Sequence, residues 1–293
     1  MSPPPGRPKA GSHPPWGDRA QREGAMSPPP GRPKAGQSQA PALLQTRELS
    51  VRFGGLVAVD AISLTILAGE LIGIIGPNGA GKTTFFNAIS GVVRPTGGAL
   101  TVQGDELAGA RPHAFARHGV ARTFQTPRVF GEMTVAANID FGLQFAGRRR
   151  PGAALLRDSA AILQLIGLAD RADEPAASIT PSQQRLLEIG MALATRPILL
   201  LLDEVAAGLT ESELEVTARL IRRLRDELGL CIVWIEHAVA TLLRHVERVI
   251  VLHQGRVLAD GLPAEVIANA EVVEAYLGDE MTDDRGTQFG RPS

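Results

Sequence analysis

The chain has 293 residues, and its 30 Lys and Arg nearly balance its 31 Asp and Glu. A net charge of −1 argues against a nucleic-acid-binding protein held by bulk positive charge. The single cysteine, Cys231, excludes an intramolecular disulfide and a cysteine-based zinc site. The sequence contains neither an apolar run long enough to span a membrane nor the apolar core of a signal peptide, so we expect a soluble cytosolic protein.

Residues 1–40 differ in composition from the rest of the chain. They hold 10 of the 21 prolines and a net charge of +4, whereas the remaining residues carry −5. The segment from Met1 to Gly11 recurs unchanged from Met26 to Gly36. Two such copies are too short and too rich in proline for a solenoid. We expect a disordered extension over 1–40, with either no required role or a role as a proline-rich ligand or anionic-surface tether.

Apolar periodicity predicts an α/β domain over 41–278, followed by a polar tail over 279–293. Alternating residues predict a strand through Leu49, Val51 and Phe53 and a second strand over 61–67. Residues 71–75 are apolar throughout, which is typical of a central parallel strand, and a glycine-rich turn and a helix follow to about residue 90. The other predicted elements are buried strands at 198–202 and 230–235, helices at 153–166, 183–194 and 212–228, and a hairpin with strands 249–252 and 257–258. This order predicts a mostly parallel sheet with flanking helices and with antiparallel strands at its start and end.

The strongest motif is a glycine-rich loop between the strand 71–75 and its helix. Residues 76–83 read G-P-N-G-A-G-K-T and match G-x-x-x-x-G-K-[ST] in the strand–turn–helix context that the motif requires. Backbone N–H groups of such a loop surround phosphate oxygens, and the helix N-terminus favours negative charge. Lys82 would neutralise the β- and γ-phosphates, and the Thr83 hydroxyl would complete a magnesium shell. The residues expected to bind phosphate are Gly76, Pro77, Asn78, Gly79, Ala80, Gly81, Lys82, Thr83 and Thr84.

Two acidic residues end the buried strand at 199–203. A carboxylate at the carboxyl end of a parallel strand lies where ligands bind in α/β folds. Asp203 could reach magnesium through water, and Glu204 could orient or deprotonate an attacking water. The alternative is that both acids cap the next loop. His237 follows the third core strand and reaches the same sheet edge, where it could contact a γ-phosphate or serve a structural role.

Two further residues are ambiguous when taken alone. Phe53 ends the first strand, where it could stack on an adenine ring or belong to the core. Gln125 lies between the glycine-rich loop and the helical stretch, and by itself it predicts nothing.

In order along the chain, these residues resemble the ATP-binding subunits of ABC transporters over about residues 43–278. The resemblance implies a P-loop NTPase core with an antiparallel β subdomain and an α-helical subdomain at about 130–194. It implies ATP and Mg²⁺ as cofactors, with Glu204 and His237 as catalytic residues. Phe53 matches the aromatic A-loop, residues 207–210 match the D-loop, and Gln125 matches the Q-loop. The implied metal-binding residues are Thr83, Gln125 and Asp203.

Four segments narrow the resemblance to importers of branched-chain amino acids, amides and urea: 121–125, 187–189, 202–209 and 235–237. The family's signature, usually Leu-Ser-Gly-Gly-Gln, departs from its pattern in this chain and reads Ile-Thr-Pro-Ser-Gln over 179–183. The resemblance implies that Thr180, Ser182 and Gln183 contact the γ-phosphate that is bound by a partner subunit. Pro181 cannot donate a backbone hydrogen bond, which predicts weak hydrolysis or pairing with a subunit that carries an intact signature. The alternative, that 180–181 forms a helix N-cap with proline at N1, is compatible with this role.

The resemblance also implies partners and a location. Two such domains would stack head to tail around two ATP molecules, as a homodimer or a heterodimer. The helical subdomain would contact the cytoplasmic loops of permease subunits on the inner face of the plasma membrane. Its basic residues 148–150 are predicted to form a solvated surface loop rather than a specific docking site. A substrate-binding protein would take part indirectly, and no nucleic acid is expected.

Three alternative functions stay open at this stage. The first is a non-transport ABC-type ATPase of DNA repair or ribosomes, which the short spacing of about 120 residues between the nucleotide motifs and the single glycine-rich loop disfavour. The second is a regulatory subunit that rarely hydrolyses ATP, and the third is a lipopolysaccharide-export subunit.

Overall fold

The computed structural model describes residues 42–146, 153–205, 207–236 and 238–276. The predicted extension over 1–40, the tail over 279–293, the basic residues 148–150 and His237 lie outside the described residues.

The described chain alternates strands with helices. Its strands are β1 (Ala42–Phe53), β2 (Leu56–Leu67), β3 (Leu71–Ile75), β4 (Gly97–Val102), β5 (Asp105–Glu106), β6 (Val120–Arg122), β7 (Leu199–Asp203), β8 (Cys231–Ile235), β9 (Arg248–His253) and β10 (Arg256–Gly261). Its helices are α1 (Lys82–Ile89), α2 (Pro112–Arg117), α3 (Val135–Leu143), α4 (Ser159–Ile166), α5 (Pro181–Ala194), α6 (Glu211–Leu228), α7 (Val239–His245) and α8 (Pro263–Ala268), and residues 270–276 are helical as well.

Two sheets organise these elements. The larger sheet has the order β10-β9-β3-β8-β7-β6, in which all neighbours are parallel except β9 and β10. The smaller sheet is antiparallel and has the order β2-β1-β4-β5. The predicted α/β fold, with a mostly parallel sheet and antiparallel strands at its start and end, is therefore confirmed.

The central strands are apolar throughout because both of their faces are buried. In β3, Leu71 and Ile75 belong to a core that also contains the helices α3, α4 and α5. Ile72 and Ile74, on the opposite face, belong to a second core between this sheet, α1 and the antiparallel sheet. Successive side chains of a strand point to opposite faces, so a strand between two cores reads as an unbroken apolar run.

One predicted helix begins later than its apolar pattern suggested. The stretch predicted as helix over 153–166 forms a short 3₁₀ turn at Ala153–Leu156, and α4 begins only at Ser159. The reason is Asp158, whose backbone is extended and whose Oδ1 accepts a hydrogen bond from the N–H of Ala161 at 2.8 Å. This N-cap interrupts the helical periodicity and fixes the start of the helix. Strands β1 and β2 begin earlier than predicted, at Ala42 and Leu56, whereas the other predicted elements form within about three residues of their expected bounds.

Small residues allow the helices of the first core to pack closely. A Cβ atom on Gly142 of α3 would lie 2.8 Å from Ala194 Cβ and 2.9 Å from the carbonyl oxygen of Met191, both on α5. None of the helices in the described ranges is both long enough and apolar enough to cross a membrane.

The close approach at Gly142 predicts a cost for any larger side chain. We expect Gly142→Val to lower the free energy of unfolding by about 2 kcal/mol, because the added atoms overpack the contact between α3 and α5. Urea unfolding would measure the change. Gly131→Ala is the control, because its added Cβ would meet Ala177 at an ordinary 3.4 Å. Equal stability of the two variants would contradict the packing argument.

Candidate active site

The glycine-rich loop joins β3 to α1 through backbone conformations that require glycine. Gly76, Gly79 and Gly81 have φ angles of 151°, 76° and 96°, which side chains disfavour. A Cβ on Gly76 would lie 2.1 Å from the carbonyl oxygen of Leu252, and one on Gly81 would lie 2.3 Å from that of Ala58. Helix α1 begins at this loop without a side-chain cap, so its first N–H groups supply the positive end of the helix dipole there.

The ammonium group of Lys82 is held against the beginning of the loop. Its Nζ donates hydrogen bonds to the carbonyl oxygens of Gly76 at 2.6 Å and Pro77 at 2.9 Å, and its side chain is buried. These contacts keep a positive charge beside the loop's backbone N–H groups. The arrangement suits a polyphosphate, because charge-assisted hydrogen bonds to phosphate oxygens are stronger than neutral ones.

A cleft of about 380 Å³ opens above the loop. Residues 78–84 line one side of it, residues 56–58 line another, and Phe53 and Glu204 complete the lining. The side chain of Phe53 is 51% exposed, so the alternative that it belongs to the core is wrong. Its ring lies at the rim of the cleft, where it is accessible to a planar ligand.

The two acidic residues at the end of β7 are held by different partners. The Asp203 carboxylate accepts a hydrogen bond from the guanidinium of Arg122, with Oδ2 and Nη2 3.1 Å apart. Glu204 is buried and has a φ angle of 49°, in the left-handed region that non-glycine residues rarely adopt. Its N–H donates to the carbonyl oxygen of Ile235, and its own carbonyl oxygen accepts from Arg185 at 2.8 Å. Hydrogen bonds on both sides of this residue hold its strained backbone in place.

Gln125 reaches Glu204 directly. The distance from Gln125 Nε2 to Glu204 Oε2 is 2.6 Å, although the two residues lie 79 positions apart in the sequence. The structure therefore brings Gln125, which by itself allowed no functional prediction, into contact with the carboxylate that is expected to act on water. Glu204 also lines the phosphate cleft, so the pair lies beside the glycine-rich loop.

Arg122 is a site residue that the sequence reasoning missed. At the end of β6 its Nη1 donates to Asn87 Oδ1 and Ser90 Oγ, both at 2.8 Å, while Nη2 binds Asp203. Burial lowers the pKa of Arg122, and Asp203 opposes that shift. The guanidinium thus ties the end of β7 to helix α1. The one available signal was its position three residues before Gln125.

Glu188 is the second missed residue. It lies on α5, and its Oε1 accepts hydrogen bonds from the backbone N–H groups of Phe124 at 3.3 Å and Arg128 at 3.1 Å. Its Oε2 is buried and has no hydrogen-bond partner in the part of the chain that the structure describes. Burial raises the pKa of Glu188 to about 7, against the opposing effect of these hydrogen bonds and of Arg185 and Arg128.

The altered signature forms the N-terminus of α5. Thr180 Oγ1 accepts from the N–H of Gln183, and Gln183 Oε1 accepts from the N–H of Thr180, which makes a capping box with Pro181 in the first turn. Ser182 Oγ lies 3.0 Å from Thr180 Oγ1. The N-cap alternative is therefore confirmed. These residues line a different cleft, shared with Glu213 at the start of α6, and they do not line the phosphate cleft of their own chain.

Each of the predicted magnesium-binding residues can offer an oxygen ligand. Thr83 provides a hydroxyl, Gln125 an amide and Asp203 a carboxylate, which are the ligand types that Mg²⁺ prefers. Within the described ranges, no cluster of three or more His, Cys, Asp and Glu side chains could hold a metal ion. A magnesium ion shared between this mixed donor set and phosphate oxygens is chemically consistent with both findings.

The raised pKa of Glu188 predicts a pH-dependent stability. Its carboxyl titrates near 4.5 when unfolded and near 7 when folded, so the folded state holds the proton more tightly between these values. Stability from this group is therefore present below pH 4.5 and is lost as the pH rises to 7. We expect Glu188→Gln, which does not titrate, to gain on the order of 2 kcal/mol relative to wild type between pH 5 and pH 8. Urea unfolding at both values measures this gain, and a pH-independent difference would contradict it.

Comparison with known proteins identifies the family. Residues 59–207 match the sequence model of the ABC transporter family, and residues 256–282 match that of the branched-chain amino acid ATP-binding cassette transporters. The chain is 38% identical to the Pseudomonas aeruginosa high-affinity branched-chain amino acid transport ATP-binding protein BraF over 250 residues, 81% of this chain and 98% of that protein. It is 39% identical to Escherichia coli K12 LivG, which carries the same description, over 81% of this chain and 98% of LivG.

Solved structures agree with this result. The ATP-binding cassette of an ABC transporter in its ADP conformation superposes with a TM-score of 0.72 at 28% identity, covering 82% of this chain and all of that one. A nucleotide-free cassette superposes with a TM-score of 0.70 at 27% identity, covering 80% of this chain and 98% of the other. With the glycine-rich loop, the paired acids and the sheet order in the expected places, the chain belongs to the ATP-binding, ATP-hydrolysing subunits of the ABC transporter family.

Proposed function

We propose that this chain hydrolyses ATP with Mg²⁺ to drive import of branched-chain amino acids or related small amides through permease subunits. The observation that carries the proposal is the contact between Gln125 and Glu204 at the cleft formed by the glycine-rich loop. The two relatives described above carry names that specify branched-chain amino acid transport, and they are covered almost completely by this chain.

In the proposed reaction the loop binds the phosphates and Glu204 acts on water. Backbone N–H groups of residues 79–84 and the Lys82 ammonium stabilise negative charge on the phosphate oxygens. Thr83, Gln125 and Asp203 would hold the magnesium ion, which supplies further positive charge to the phosphates when bound. Phe53 would stack on the adenine ring.

The carboxylate of Glu204 accepts a hydrogen bond from the attacking water and favours its in-line approach to the γ-phosphate. Gln125 fixes the orientation of this carboxylate through its bond to Oε2. We propose that His237 contacts the γ-phosphate from the same sheet edge, because it follows directly on β8 and Glu236.

A second ATP-binding subunit would complete each site. In this proposal Thr180, Ser182 and Gln183 of one subunit close on the γ-phosphate bound by the other, which accounts for their position outside the cleft of their own chain. The capping box fixes this end of α5, where the positive end of the helix dipole favours an anion. The partner is either a second copy of this chain or a related subunit.

The permease contact is proposed for a groove between the central sheet and the helical subdomain, about 130–194. Its cavity is about 360 Å³ and includes Phe130, Phe141 and Phe145, whose rings pack edge to face at 4.9 and 5.3 Å. These side chains are 44%, 37% and 65% exposed. Neighbouring exposed aromatic rings are typical of protein contact sites. A cytoplasmic loop of the permease would occupy this groove, so that the subunit lies on the inner face of the membrane and meets the substrate-binding protein only indirectly.

The first test concerns hydrolysis. We expect Glu204→Gln to lower kcat at least 100-fold and to retain ATP binding, because the amide cannot accept a proton from water. Steady-state phosphate release and fluorescent-nucleotide binding measure the two effects, with and without EDTA. Glu132→Gln, at an exposed acid outside the cleft, is the control. Unchanged turnover in Glu204→Gln would favour the regulatory, non-hydrolysing alternative.

The second test concerns transport and docking. In cells that lack this chain, we expect wild type but not Glu204→Gln to restore uptake of labelled leucine. Phe145→Ser should reduce uptake several-fold and leave the ATPase activity of the purified chain unchanged, since it removes only an exposed contact in the groove. Leu155→Ser, at an exposed apolar residue outside the groove, is the matched control. Full uptake with Phe145→Ser would argue against the groove as the permease contact.

A further inference from the structure

We propose that Glu188 is a positioning residue for hydrolysis, which fixes the loop 124–128 against helix α5 so that Gln125 reaches Glu204. The inference rests on the proposed function, because it assigns a role in the same reaction. Neither the glycine-rich loop nor the paired acids require an acid at this position, two turns into α5.

The first argument concerns the hydrogen bonds that the backbone N–H groups of the loop 124–128 donate. Glu188 Oε1 accepts from both ends of the loop, the N–H of Phe124 and the N–H of Arg128. Before the loop, the N–H of Thr123 donates to Leu201 and belongs to the sheet. After it, the N–H of Phe130 donates to Asn138 of α3. One carboxylate oxygen thus holds the segment that carries Gln125 between two anchored positions.

The second argument is the position of Gln125 itself. The residue is exposed, so burial alone does not fix its side chain, yet its amide lies within hydrogen-bond distance of Glu204. Holding the backbone lowers the entropic cost of this contact, because only the side-chain torsions of Gln125 then remain to be fixed. Glu188 supplies that restraint through the residues on either side of Gln125.

The third argument is the cost of the arrangement. Glu188 is 95% buried by area, with an exposed fraction of 5%, and an apolar side chain of similar size would pack in the same place without desolvating a charge. The surrounding guanidinium groups offset part of that cost: Arg122 and Arg128 lie over the Phe124 ring at 4.7 and 4.1 Å, and Arg185 is on the same helix. The feature that only an acceptor provides is the pair of bonds to the loop.

The placement also connects two parts of the site. The signature residue Thr180 caps the N-terminus of helix α5, and the same helix carries Glu188. A displacement of α5 would therefore be transmitted through Glu188 to the backbone of 124–128, and from there to the Gln125–Glu204 contact. Glu188 acts through Gln125 and does not itself touch the phosphate cleft.

The test compares Glu188→Leu with Glu188→Gln in the purified full chain. Leucine keeps the volume but removes the acceptor, so we expect kcat to fall at least 10-fold while KM for ATP changes less than threefold. Glutamine keeps Oε1 as an acceptor, so we expect it to retain at least a third of the wild-type kcat. Rates are expressed per nucleotide site titrated with a fluorescent ATP analogue, which removes any unfolded fraction. Glu174→Leu, at an acid of the same subdomain that pairs with Arg171, is the control.

A double-mutant cycle separates positioning from general structural damage. If Glu188 acts through Gln125, then Glu188→Leu should lower kcat little further in a Gln125→Ala background, whereas independent effects would multiply. The inference is overturned if Glu188→Leu keeps its kcat, if Glu188→Gln is as impaired as Glu188→Leu, or if the two losses multiply. A wild-type rate equal to that of Glu204→Gln would instead overturn the proposed function, so the two failures are distinguishable.

Discussion

The parallel register of the central sheet is the constraint on which the site depends. Asp203 at the end of β7 pairs with Ile235 of β8, and Ile235 lies beside β3, where Ile74 pairs with it. The glycine-rich loop begins two residues after Ile74. On the other side, β6 pairs in parallel with β7 and delivers Arg122 to the same edge. Parallel strands end together, so one register collects the phosphate loop, both acids and the start of the Gln125 loop.

The central sheet is stable only because both of its faces are buried. Unbroken apolar strands require a core on each side, and the two cores come from different parts of the chain: α1 and the antiparallel sheet on one side, and the helical layer on the other. The helical layer therefore has two roles. It buries one face of the sheet, and through α5 it carries Glu188 and the signature residues toward the edge where the acids lie.

The sequence predicted the elements that depend on local rules. Apolar runs predict the strands 71–75 and 199–203. The glycine-rich loop is a contiguous motif whose backbone conformation requires glycine, so it can be recognised from the sequence alone. The contact between Gln125 and Glu204 could not be predicted from these residues, because 79 positions separate them and only the register of β6 against β7 brings them together. Arg122 and Glu188 were missed for the same reason. A polar residue in a strand or helix does not reveal its partner, and burial decides whether its charge matters.

The altered signature gains a physical interpretation from the cap that it forms. Proline lacks a backbone N–H group, but in the first helical turn this group has no partner within the helix. The substitution therefore destabilises the helix little. Thr180 and Gln183 satisfy each other across that turn, which leaves the end of α5 ordered. The family pattern has glycine at two positions, which Pro181 and Ser182 occupy in this chain. The hydroxyl of Ser182 lies beside that of Thr180. A glycine-free signature therefore retains an ordered, positively polarised helix end with two hydroxyl groups. In the proposed function, this end of α5, more than the identity of each signature residue, is what the phosphate bound by a partner subunit would contact.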